Sequence, residues 1–187
     1  MANRTTKLFT IQAGGTPQPL VGTWVTAAPT PAGADPAGNT LTTIAVNDSS
    51  MFKPGDYARL VSITFTNDER LVVQKVPDGT HIVVRNMQFS HAGGGFGVGD
   101  FVALGIAVNS IYVQTKPGNA AIIYIGTQGL VKATLANVIA QLQPVAANIQ
   151  PTEYSDTRYY GPNPSQSSDV WLDGTTADGY LPSFGIS

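Results

Sequence analysis

Short runs of Val, Ile, Thr, Tyr and Phe recur along this chain and are broken throughout by its 20 Gly and 13 Pro residues. That is the pattern of many short strands joined by tight turns, and it leaves little room for long helices. Leu71–Val76 and Thr80–Arg85 flank Pro77-Asp78-Gly79. Proline presets φ for a turn and glycine accepts positive φ, so this stretch predicts an antiparallel hairpin. Ser110–Thr115 and Ala120–Ile125 flank Lys116-Pro117-Gly118-Asn119 and predict a second one. One segment fits two patterns. Leu135, Val138, Ile139 and Leu142 stand at helical spacing behind Thr134 as a cap, while Val138–Gln143 before Pro144 also fits a short strand. The β character of the rest favours the strand.

Near the start, Leu8–Ile11 and Leu20–Val25 read as strands, and Ala27–Gly38, rich in Ala, Pro and Gly, reads as an extended linker. Phe52-Lys-Pro-Gly-Asp-Tyr-Ala-Arg-Leu60 is echoed by Phe96-Gly-Val-Gly-Asp-Phe-Val-Ala-Leu104. In both copies Gly makes a turn, Asp can accept hydrogen bonds from turn amides, and the following aromatic opens a strand. The two copies bracket the first hairpin, so residues 40–104 predict a small β-barrel that folds as its own unit.

Composition narrows what such a fold can do. Of 187 residues, 42% are hydrophobic and only 12% charged, against about 25% charged in ordinary globular domains. The surface is therefore mostly neutral, as on β-rich proteins and on proteins whose faces are covered by neighbours. A net charge of −2 with singly scattered Lys and Arg does not suit a nucleic-acid partner, which needs clustered cations. With no Cys, disulfides and thiolate chemistry are excluded. No apolar run of signal-peptide length follows Met1–Lys7, and the longest apolar stretch, Phe101–Val108, falls well short of the ~20 residues a membrane helix needs. No membrane partner is expected.

Reactive constellations are sparse. His81 lies in a predicted strand and His91 precedes a glycine run, so neither forms a recognisable metal set. Gly93–Gly99 lacks the spacing, the Lys and the following helix of a phosphate cradle. Asp169, Asp173 and Asp178 miss the calcium-loop pattern, and Asp173-Gly174 and Asp178-Gly179 read as turns. No catalytic, cofactor-binding or metal-binding residue is expected. Tyr154, Tyr159 and Tyr160, set among Ser, Asn, Pro and Gly near Trp171, form the candidate contact surface, since aromatic rings give large contact area at low entropic cost.

Ser110–Gly129, with Ile111-Tyr-Val-Gln114, Pro117, Asn119 and Ile123-Tyr-Ile-Gly126, and then Asp169-Val-Trp-Leu-Asp-Gly174, resemble a module of small tailed-bacteriophage virion proteins. Phe9–Leu20 resembles that module's first strand. The resemblance implies an all-β protein: an antiparallel, jelly-roll-like β-sandwich with an extended N-terminal segment, formed by 1–39 plus 105–187 with a Gly/Pro-rich linker at 27–39 and interrupted by the barrel at 40–104. It also implies a non-enzymatic capsid decoration or cement protein, made in the host cytoplasm and placed on the capsid surface of the virion. Its partners would be itself, as a homotrimer, and the phage major capsid protein. A carbohydrate- or receptor-binding module of a tail or fibre is the other reading, carried by the tyrosines. The expected sandwich core is Ile111, Val113, Ile123, Ile125 and Trp171, and the expected barrel core is Phe52, Tyr57, Leu60, Val72, Ile82, Phe101 and Leu104.

Overall fold

The computed structural model describes residues 3–5, 7–31, 33–35, 37, 39–62, 68–85, 87, 100–105, 107–108, 110–146, 153–156, 165–166 and 170–185. Among them the chain forms strands and no helix, and every strand pairing is antiparallel. The chain divides into two compact units, one made of residues 1–21 and 106–187 and the other of residues 22–105.

The first unit holds β1 (Asn3–Thr5), β2 (Phe9–Thr10), β3 (Gln18–Pro19) and, after the second unit, β10 (Ala107–Val108) to β17 (Gly179–Gly185). The intervening strands are β11 (Ser110–Thr115), β12 (Ile123–Val131), β13 (Ala136–Leu142), β14 (Glu153–Asp156), β15 (Ser165–Gln166) and β16 (Trp171–Asp173). They form two main sheets in a sandwich-like arrangement. One runs β14-β11-β17, with β1 and β2 both paired to β17; the other runs β13-β12-β16-β3, and β10 pairs β15 in a short ribbon. Alternation puts Ile111 and Val113 of β11 and Ile123 and Ile125 of β12 in the core, and Trp171 joins them from β16, a strand buried on both faces; each is no more than 1% exposed, as are Tyr180 and Phe184 of β17.

Ser110–Thr115 and Ala120–Ile125 do not form the expected hairpin. β11 pairs with β17 and β14, whereas β12 pairs with β13 and β16, so the Pro117-Gly118 turn carries the chain from one sheet to the other. The reason lies in what holds the turn. Asn119 exchanges hydrogen bonds with the backbone of Gly179, donating through Nδ2 and accepting through Oδ1, and Asp178 accepts from the amides of Ala120 and Ala121. These bonds tie the turn to β17 before β12 begins. The ambiguous segment is a strand, β13. At Gly126 of β12 an added Cβ would stand 2.1 Å from the carbonyl oxygen of Asn137, so only glycine lets β13 approach at the bulge there.

The second unit holds β4 (Gly22–Trp24), β5 (Thr42–Ala45), β6 (Tyr57–Val61), β7 (Glu69–Asp78), β8 (His81–Arg85) and β9 (Phe101–Gly105), ordered β4-β9-β6-β7-β8-β5. Val25 pairs with Val46, and the Asn47 and Thr26 amides donate to Trp24 and Ala45, so the last strand returns to the first and the sheet closes as a small barrel. Val25, Ile44, Val46, Leu60, Leu71, Val73, Ile82, Val84 and Leu104 fill it.

This barrel has an internal two-fold relation. Exchanging β4 with β7, β5 with β8 and β6 with β9 leaves the ring order unchanged. The register obeys the same exchange: Val25 opposite Val46 matches Val73 opposite Val84, and Trp24 opposite Phe101 matches Val72 opposite Tyr57. The Val73 amide donates to Asp56 at 2.9 Å as the Val25 amide donates to Asp100 at 2.8 Å. The aromatic-x-x-Leu part of the repeated pattern, Tyr57–Leu60 and Phe101–Leu104, therefore lies in the third strand of each half, and these two strands, β6 and β9, lie side by side.

Three expectations for this region change. Leu20–Val25 does not belong as one strand to the two-sheet unit, because Gly22–Trp24 pairs with β9 and completes the barrel. The boundary therefore falls at residue 22, before the expected start at 40. Within Ala27–Gly38, read as a linker, Thr30 exchanges both backbone hydrogen bonds with Thr43 and Asp35 donates to Met87, so this segment lies along the barrel wall. Tyr57 is 62% exposed and Val72 half-buried, because the pleat that points Ala58 and Leu60 inward turns their neighbours outward. Phe101 takes the same outward register as Tyr57 but is buried against Trp24, ring centroids 4.1 Å apart.

Candidate interaction surface

Of the three tyrosines singled out from sequence, Tyr154 sits in β14 opposite Val113 and is half-buried. Tyr159 and Tyr160 lie outside the described residues. The same edge carries a polar cluster that sequence reading missed. Tyr112 and Gln114 share one face of β11, and Glu153 stands opposite Gln114 on β14. Gln114 Nε2 donates to Glu153 Oε1 at 2.6 Å and to the Tyr112 hydroxyl at 3.3 Å. The Tyr112 hydroxyl also donates to Glu153, and this bond is the main cause that raises the tyrosine pKa and lowers that of the glutamate. The alternation Tyr112-x-Gln114 was visible in the sequence, but Glu153 joins it only through strand pairing.

Asp173 and Asp178 serve the backbone. Asp173, 1% exposed, accepts from the amides of Gly15 and Gly174 and from Lys132 Nζ at 3.4 Å. Asp178 holds Ala120 and Ala121 as described, and its own carbonyl accepts from Ile11. Buried Gln18 bridges Gln12, the Thr10 carbonyl and the Tyr180 hydroxyl, and burial drives the Tyr180 pKa up. These bonds fasten residues 10–18 to the ends of β16 and β17. Asp169, His91 and Gly93–Gly99 lie outside the described residues, and among those described no group of three or more His, Asp or Glu is placed to hold a metal.

His81 is half-buried at the tip of the β7–β8 hairpin, its Nδ1 2.9 Å from Asp78 Oδ1. The reversal comes at Gly79-Thr80, with Asp78 opposite His81 and Pro77 at the strand end. The Thr80 amide, followed by the His81 ring, lowers the Asp78 pKa to about 2. A depressed carboxylate adds stability that is complete above its ordinary value of 3.8 and is lost as pH falls through the folded value. Wild-type protein is therefore expected to lose a small increment of stability between about pH 4 and pH 2 that Asp78→Asn lacks. Urea midpoints across that range, with parallel acid limbs for the two proteins as the contrary result, check this.

The β12–β13 hairpin presents a different surface. Val131, Leu135 and Ile139 are 45%, 50% and 41% exposed, half of the exposed large hydrophobic residues among those described. Leu135 has φ 59° and Asn137 φ 57°, and Asn137 Nδ2 donates to the Gly129 carbonyl. The one charge near the tip, Lys132, turns to Asp173 and the Gly174 carbonyl.

No protein-family model matches the chain, and no curated protein and no solved structure is significantly similar to it.

Proposed function

We propose that this chain is a non-enzymatic structural protein of a tailed-phage virion, a capsid decoration or cement protein that binds the outer shell and stabilises it through contacts with the major capsid protein and with its own copies. The observation that carries this reading is that Phe9–Thr10, Ser110–Thr115, Ile123–Val131 and Trp171–Asp173, the segments that resemble virion modules, all fold into the same two-sheet unit. The sparse charge and the use of Asp173 and Asp178 as backbone acceptors agree with a role in packing. A homotrimer on the capsid surface follows from the same resemblance.

Labelled antibody against the chain, imaged on intact particles, tests the reading. Many copies distributed over the shell support it. A few copies at the tail would overturn it in favour of the carbohydrate- or receptor-binding module, for which the half-buried Tyr112 and Gln114 and the exposed Glu153 offer hydroxyl, amide and carboxylate groups of the kind that bind sugar hydroxyls.

A further inference from the structure

We infer that the outer wall of the barrel across β6, β7 and β8 is a docking surface for an acidic segment of another protein, gripped by Arg59, Arg70 and Arg85 around Tyr57 and Val72. This inference stands independently of the virion reading. Lys and Arg are scattered singly along the sequence, and strand register brings these arginines together. Arg59 of β6 stands directly opposite Arg70 of β7; one pleat along, Tyr57 stands opposite Val72, which in turn stands opposite Arg85 of β8. Residues opposed in this way share a face, with Cβ atoms about 5 Å apart. Their neighbours Ala58, Leu60, Leu71, Val73 and Val84 are buried in the barrel, so the arginines, Tyr57 and Val72 point away from its core.

Packing of the barrel does not account for this group. Like charges directly opposed across two strands destabilise the pairing. Arg59 is offset by the Asp68 carboxylate at 2.7 Å, whereas Arg70 is exposed and makes no hydrogen bond, ion pair or ring contact among the described residues. Tyr57 is 62% exposed, the most of any large hydrophobic residue among those described. On its β9 side it meets Gly105, which has no side chain to cover the ring. An open aromatic ring among arginines is the composition of protein contact centres, where both residue types are enriched.

Charge and shape select the occupant. The complement of a free guanidinium beside an open tyrosine ring is a carboxylate next to an apolar side chain, which an acidic protein segment supplies. Arg59 already shows the mode, donating through Nη2 to the Asp68 carboxylate. A nucleic-acid strand fits less well. It asks for successive aromatic rings along a continuous basic track, and these strands offer the one ring of Tyr57 with apolar Val72 beside it.

Binding of a fluorescein-labelled peptide of alternating Glu and Tyr to the full chain, followed by fluorescence anisotropy at low ionic strength, tests the inference. Wild type is expected to bind it, to bind the matching Gln and Tyr peptide at least about tenfold more weakly, and to lose affinity as salt is added. Arg70→Glu is expected to weaken binding at least about tenfold, while Lys116→Glu, the same charge change at an exposed position of the two-sheet unit, leaves it within about twofold. Because Arg70→Glu turns a like-charge opposition into an attractive pair with Arg59, its melting temperature should match or exceed that of wild type, so lost affinity is not lost fold. Tyr57→Ala should weaken binding with its circular dichroism unchanged. No binding of the Glu peptide, equal affinity for the Glu and Gln peptides, or equal losses in the variants at 70 and 116 would overturn the inference. Tighter binding of a labelled oligo-dT of equal charge would overturn it in favour of nucleic acid, and a dimer in sedimentation equilibrium that Arg70→Glu abolishes would overturn it in favour of a second copy.

Discussion

Trp171→Ala is expected to destabilise the two-sheet unit by about 3–5 kcal/mol, the usual cost of deleting a buried tryptophan. Trp171 is 1% exposed on a strand whose three residues are all buried, and it faces Gly126 on one side and Pro19 on the other. The cavity would open between β12 and the segment that returns from the N-terminus, where glycine and proline offer little side chain to collapse into it. Against a total stability of 5–15 kcal/mol for an ordinary domain, this loss is a large fraction. It corresponds to a fall in melting temperature of roughly 10 °C or more. Amide exchange locates the damage. Ile123 and Ile125 should lose most of their protection, whereas Ile82 and Val84, in the barrel, should keep theirs. Equal loss at all four positions would mean that the two cores are energetically one.

The β class and the two cores were legible because they rest on local pattern. Alternation in Ser110–Thr115 and Ile123–Val131, and the apolar Val170-Trp171-Leu172, identify buried positions without knowledge of which strand pairs with which. Pairing was less legible. Lys116–Asn119 has the chemistry of a hairpin turn, and nothing nearby in the sequence reveals that Asp178 and Gly179 capture it and send β12 to the other sheet. Tyr57 shows the limit of reading by residue type. An aromatic after Gly-Asp in both repeats looks like core, but the pleat decides, and Trp24 covers Phe101 while Tyr57 stands in solvent.

The contact surface was the least legible part. Tyrosines drew attention by their chemistry, whereas Leu135 and Ile139 sit in a segment whose apolar spacing served equally for a buried helix face or strand. Leu135 stands in the turn before β13 and Ile139 on the solvent side of that strand, placements that tertiary structure sets and local sequence does not. The Phe-x-x-Gly-Asp echo likewise disclosed one strand in three of each barrel half. β4 and β7, or β5 and β8, share little beyond apolar alternation, so their equivalence emerges only from register.

That equivalence fixes where the chain can be cut. Removing residues 22–105 and joining Val21 to Ile106 through a short Gly/Ser linker is expected to leave a two-sheet unit that retains its β circular dichroism and melts cooperatively. Gly22 and Ala103 are paired across β4 and β9, so the chain enters and leaves the barrel at the same end, and a short linker suffices. Removing only 40–104 is expected to fail, although the sequence echo marks that segment. It leaves behind β4 with Trp24 and Val25, which have lost Phe101 and Val46, and it leaves Thr30 without Thr43. The smaller deletion should therefore expose apolar surface, bind a hydrophobic dye and aggregate, while the larger one stays soluble. The complementary fragment 22–105 should melt as a single transition, since all six strands and the closing Val25–Val46 bridge lie within it. If the 40–104 deletion proves as well folded as the 22–105 deletion, β4 belongs energetically to the two-sheet unit, and the barrel is closed by something other than that strand.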